Sequence, residues 1–200
     1  IDLQVDYYSI PSEQIIKIAS ELIINNNNYF EKLKKWNNIL DKNSTEAGIY
    51  IEWQNQIHHN FIEEFVPDKI RKYIDIQIYR IIEIITNMND EAKSKFLNKT
   101  FDSAIKNLIN KYGEDVNNWT YGQDDYKHVK IYHPLEMVVN DSIRSIIELE
   151  KYPRGGDGYT PGSTSNSLNQ ESGGSFRVVI NTGDWDNSFA TNSPGQSGNP

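Results

Sequence analysis

Cysteine is absent from all 200 residues, which excludes both a disulfide framework and a thiolate metal site. Long apolar runs are missing as well. The longest are a few residues, far short of the roughly 20 that a membrane-spanning helix needs. Positive charge is scarce: 20 Lys and Arg stand against 28 Asp and Glu, for a net charge of −8 and a pI of about 5.0. That balance argues against nucleic acid as a partner. No signal-peptide pattern opens the sequence. It starts at Ile1 rather than Met and its last motif runs into Pro200, so the expectation is a piece of a longer chain.

Isoleucine and aromatic residues are plentiful, enough to fill a packed core. The length suits one domain or two small ones. Residues 1–11 read as an opening segment. Ser12 is the expected cap of a first helix over 12–24, with Ile15, Ile16, Ile18, Ala19, Leu22 and Ile23 on its apolar face and Asn25 to Asn28 as its end. A second helix should carry Phe30, Leu33, Trp36 and Leu40. Ser44 or Thr45 should cap a third, over 46–65, with Ala47, Ile51, Ile57, Phe61 and Phe65 as its apolar set. Pro67 suits the first turn of a helix over 68–86, along which Ile70, Tyr73, Ile74, Ile78, Ile81, Ile82 and Ile85 recur at helical spacing. Asp90 should cap a segment 91–98. Thr100 should open a helix over 101–112 that Gly113 ends. A short helix or helix pair is expected between Leu135 and Leu149.

Several residues invite a chemical reading. His58 and His59 are adjacent, so on a helix they point about 100° apart and do not share an ion easily. Helical zinc sites place two histidines at i and i+4. The residue four after His58 is Ile62, and the one four after His59 is Glu63, which reads as a surface partner of the imidazole. His128 or His133, with Asp124 or Asp125, could form a catalytic pair; the competing reading is an aromatic-rich turn packed against the sheet. Gly155-Gly156 lacks the Lys-Ser/Thr of a phosphate-binding loop. Gly195-Gln196-Ser197-Gly198 has Asn199 where a serine elbow needs glycine. The sequons at Asn98 and Asn118 are chance matches in an Asn-rich chain.

The end of the chain changes character. Residues 161–175 read as a long Ser-, Gly- and Asn-rich loop. Phe176, Val178 and Ile180 then alternate with Arg177 and Val179, a strand pattern. Gly183-Asp184-Trp185-Asp186-Asn187 is turn chemistry, Phe189 and Thr191 restart the alternation, and Pro194-Gly195 breaks it. Arg177 and Val179 fall on one strand face and Phe176, Val178 and Ile180 on the other. A guanidinium there needs an acidic or carbonyl partner, with Asp184 and Asp186 as candidates. Trp185 should cover the hairpin end, burying roughly 150–250 Å² of ring.

This last stretch, continuing as Pro194-Gly195-Gln196-Ser197-Gly198-Asn199-Pro200, resembles the C-terminal signature of the penicillin amidase family. Pro153-Arg154-Gly155-Gly156-Asp157 is similar to the family's Pro-x-Gly-Gly-Asp segment. Trp119-Thr120-Tyr121-Gly122 with His133-Pro134-Leu135 is similar to its Trp-x-(Trp/Tyr)-Gly … His-Pro-Leu segment. Leu3-Gln4-Val5-Asp6 resembles its Gln-x-Asp segment. Asn181 stands where the family often has Asp, and Thr160-Pro161-Gly162 replaces its Thr-Val-Asn.

The resemblance implies an N-terminal-nucleophile hydrolase, an amidohydrolase of N-acyl compounds of the penicillin or acyl-homoserine lactone type that matures by self-cleavage. The expected class is α+β: a mainly helical layer or bundle over 1–150, then a Gly/Ser-rich loop and β-hairpin over 151–200. Both would belong to one larger domain of αββα Ntn-hydrolase fold. The resemblance places the nucleophile upstream, so this segment would hold no catalytic, cofactor or metal residue and would be inactive alone. A structural calcium often found in the family would lie elsewhere. The implied partners are the α-subunit and the N-terminal part of the β-subunit of the same precursor, with a small N-acyl substrate in the whole enzyme. The implied location is extracytoplasmic. The alternative class is a non-catalytic helical protein-interaction module.

Overall fold

The computed structural model describes residues 2–22, 24–25, 27–126, 128–129, 135–147, 150–162, 169–170 and 176–192. Among them it is mostly helical, with small sheets formed by strands between His128 and Asn192. That agrees with an α+β class.

Helix α1 runs Ile10–Ser20. Its cap is Ser9, not Ser12: the Ser9 hydroxyl accepts from Ser12 N at 3.3 Å, and Pro11 takes the first turn. Ser12 Oγ is used instead in donating to Ser9 O and in a bond to Asn38 Oδ1. The Asn run does not simply end α1, because α2 (Asn27–Lys35) begins inside it. Trp36 and Leu40 lie beyond α2. Leu40 is fully buried in an extended stretch whose neighbour Ile39 bridges Tyr8.

Helix α3 (Thr45–Phe65) starts as expected at Ser44, whose hydroxyl accepts from Ala47 N at 3.0 Å. Its far end is closed by α4 (Asp68–Arg71): Arg71 Nε donates to Val66 O, its NH2 to Glu63 O, and its NH1 pairs with Glu63 and Asp68. One guanidinium thus occupies carbonyls that a helix end leaves open. The single helix expected over 68–86 is therefore two. Residues 72–77 are non-helical, and His58 Nε2 lies 3.0 Å from Ile76 O within them. α5 (Ile78–Thr86) buries Ile78, Ile81, Ile82 and Ile85, whereas Ile70, Tyr73 and Ile74 stay exposed.

The opposite correction applies next. Residues 91–98 and 101–112 form one helix, α6 (Asp90–Tyr112), capped by Asn89 and closed by Gly113 at φ +80°. Thr100 does not open a helix. It is buried in the middle of α6, its hydroxyl in reach of Phe96 O and Leu97 O. α3 and α6 are the main packed pair, and Trp53, Phe101, Ala104 and Leu108 are fully buried in the core around it.

The remaining helix, α7 (Asp141–Ile147), is short and has no buried residue. Strand β1 (His128–Val129) pairs antiparallel with β2 (Tyr152–Pro153) and parallel with β3 (Asn169–Gln170). β4 (Phe176–Val179) and β5 (Phe189–Asn192) form the expected antiparallel hairpin. Phe176, Val178 and Ile180 are exposed. Trp185 is 71% exposed rather than buried over the hairpin end.

Candidate functional site

The Gly-Gly-Asp segment forms a joint between the helical body and the last third. Gly156 N donates to Leu40 O at 2.8 Å, and Leu40 N donates to Tyr7 O at 2.9 Å. Tyr121 O–H donates to Gly156 O at 2.6 Å, and Gly162 N donates to Asp6 O at 2.8 Å. Glycine is required by proximity here. A Cβ on Gly155 would lie 2.5 Å from Leu40 O and 2.6 Å from Tyr7 Cδ2; one on Gly162 would lie 2.5 Å from Tyr7 Cε1. The Tyr7 ring is held between the two, with the Arg154 guanidinium 5.9 Å from its centroid. These glycines seat a tyrosine, which gives Gly155 a packing role.

Asp157 is buried, its Oδ1 accepting from Tyr159 N at 2.9 Å and its N donating to Thr160 Oγ1 at 3.0 Å. Burial first, then the Asp157 charge, push the Tyr121 and Tyr50 hydroxyls well above their ordinary value, with Arg154 opposing at Tyr121. Such phenols stay protonated and donate hydrogen bonds.

The aromatic turn makes a second polar centre. Glu52 is buried on α3, and its carboxylate accepts from Asn107 Nδ2 at 3.0 Å, Gln56 Nε2 at 3.2 Å and Tyr126 O–H at 3.3 Å. Burial, then Glu52, push Tyr126 upward. Trp119 is fully buried, its indole N–H donating to Gly113 O at 3.0 Å. The turn thus packs chiefly on α3 and α6.

The flagged residues do not converge. His58 binds the Ile76 carbonyl and His59 is exposed. Glu63, expected beside His59, pairs with Arg71 instead. His128 is buried with Nε2 4.0 Å from Asp124 Oδ1, while Asp125 accepts from Tyr112 O–H at 2.6 Å. His133 and Ser197 lie outside the described residues, as do Pro194-Gly195 and most of the loop 161–175. Asn98 Nδ2 bonds Ser94 O within α6, where its sequon is helical. Arg177 does not reach Asp184 or Asp186; its NH1 donates to Gln4 O. Among the described residues, no group of three or more His, Asp or Glu could hold a metal ion, and no helix is long and apolar enough to cross a membrane. Tyr7, Gly162 and Lys151 carry no sequence signal of their own. Their roles come from contacts across more than a hundred residues or, for Lys151, across a sheet.

The penicillin amidase family model matches residues 1–200. The chain belongs to the penicillin amidase family, a family of hydrolases. A comparison with curated proteins returned no match.

Proposed function

We infer that this chain is the C-terminal segment of a penicillin amidase-like precursor that hydrolyses the amide bond of N-acyl compounds, penicillins or acyl-homoserine lactones among them. Family membership over the whole chain supports the hydrolase reading over an interaction module. The observation that carries the segment reading is the hairpin. Phe176, Val178, Ile180, Trp185 and Phe189 are all exposed on it. A lone two-stranded hairpin is marginal in water, and exposed apolar side chains on both of its faces call for cover. In this reading the cover is the rest of the precursor, the α-subunit and the N-terminal part of the β-subunit. The helical region 1–150 and the segment 151–200 are then parts of one αββα domain.

The chemistry follows from the family resemblance. A serine freed at the β-subunit N-terminus by self-cleavage attacks the acyl carbon, with its own α-amine as base. Backbone N–H and Asn groups stabilise the oxyanion. Those residues lie outside this chain, as does any structural calcium, and the enzyme acts outside the cytoplasm. The purified chain alone is expected to show no turnover of a chromogenic phenylacetamide. Turnover by the chain alone, abolished by Ser197→Ala, would overturn the reading.

A further inference from the structure

We propose that His128 is an acid-operated latch whose protonation opens the β2–β1–β3 sheet while the helical body stays folded. His128 sits on β1, the middle strand, so among the described residues every ladder pair of this sheet runs through it or Val129. His128 is 1% exposed, and among the described residues its Nδ1 has no hydrogen-bond partner. The Asp124 carboxylate is 4.0 Å from its Nε2 and is shared with Lys151, whose Nζ is 3.5 Å from the same oxygen. A charged ring therefore gains little from Asp124 and is opposed by Lys151.

The groups around the ring are few among the described residues. The aromatic turn brings Asp124; its neighbour Asp125 is bonded to Tyr112. β2 brings Lys151 at its upstream end and the exposed phenol of Tyr152, while β3 consists of two uncharged residues. Burial and Lys151 lower the His128 pKa, and Asp124 with the Gly122 and Tyr126 carbonyls opposes them only in part. The unit that opens is small, since among the described residues each strand is two residues long. Small units of this kind open well below the global free energy.

The sign follows from linkage. A lowered folded-state pKa means the sheet is fully stable above the ordinary histidine value of about 6.5 and loses stability as pH falls through the depressed value. One proton allows at most about a tenfold rise in opening per pH unit.

The test is hydrogen exchange on the full chain from pH 7.5 to 4.5, corrected for intrinsic rates, alongside an imidazole ¹⁵N titration. Peptides covering 128–129 and 151–152 should lose protection by up to about tenfold per unit below pH 6.5, while α3 and α6 peptides hold theirs. Lys151→Met should raise the ring's pKa and shrink the loss. His128→Phe should abolish it. The same loss in His128→Phe overturns the proposal. So does a wild-type ring that titrates at or above 6.5 without loss of protection, a result that needs no variant to fold.

Discussion

The indole N–H of Trp53 donates to the Thr100 hydroxyl at 3.1 Å, joining α3 to α6 where both side chains are fully buried. The same hydroxyl also reaches back to carbonyls of its own helix. It therefore satisfies a buried donor while its proton stays within α6.

Thr100→Val keeps the shape of the side chain and deletes the acceptor. The Trp53 N–H is then buried without a partner, which costs about 1–3 kcal/mol. A denaturant midpoint lowered at unchanged slope is the expected result.

Gly48 lies on α3 where the aromatic turn crosses it. A Cβ there would sit 1.7 Å from Trp119 O, a backbone atom that cannot rotate away. Gly48→Ala should destabilise by about 3 kcal/mol, at the upper end for overpacking, despite its gain in helix propensity. Thermal unfolding of the two proteins measures it.

Two tryptophans give opposite expectations. Trp119 is fully buried, so Trp119→Ala should cost about 3–5 kcal/mol. Trp185 is mostly exposed, so in this chain Trp185→Ala should change stability by no more than about 0.5 kcal/mol. On the function proposed above, the same Trp185→Ala in a whole precursor should lower the yield of processed protein more than the rate per processed molecule. Processing and turnover assayed together separate those outcomes.

Burial and the bond to Asp125 raise Tyr112 to about 12. Its neutral form is the one the fold favours. That stability is complete below the ordinary tyrosine value of about 10 and is lost as pH rises through 12. Ultraviolet titration resolved by tyrosine should show the Tyr112 phenol ionising at about 12, and Asp125→Asn should bring that phenol earlier.

Where cap chemistry and apolar period agree, the elements stand where the sequence places them. Ser44 opens α3, Gly113 closes α6, and the hairpin turns at Gly183. The break at 72–77 was hidden because isoleucines keep helical spacing straight through it; Arg71 and His58, acting across space, end the helix. The continuity of α6 was hidden for the reverse reason. Asn98-Lys99-Thr100 looks like a turn and cap, yet the Thr100 hydroxyl bonds within the helix. Among candidate site residues, the sequence offers His128 or His133 with Asp124 or Asp125 and nothing in it chooses among them. Lys151 became the neighbour of Asp124 and His128 only through the β1–β2 ladder. The exposure of Trp185 has no local signature, since it depends on what covers the hairpin.

Gln4 holds the hairpin at two points, donating from Nε2 to Val178 O at 3.1 Å and accepting from Arg177 NH1. These partners are 174 and 173 positions away along the chain. At a synthesis rate of about 5–20 residues per second, roughly ten to thirty seconds separate the appearance of Gln4 from that of Arg177. Helices α1 to α6 all emerge within that interval. The turn over Asp2–Val5 must therefore wait for its hairpin partners beside a finished helical body. Its docking is then a late event in biogenesis, exposed to chaperones and proteases for as long as the wait lasts.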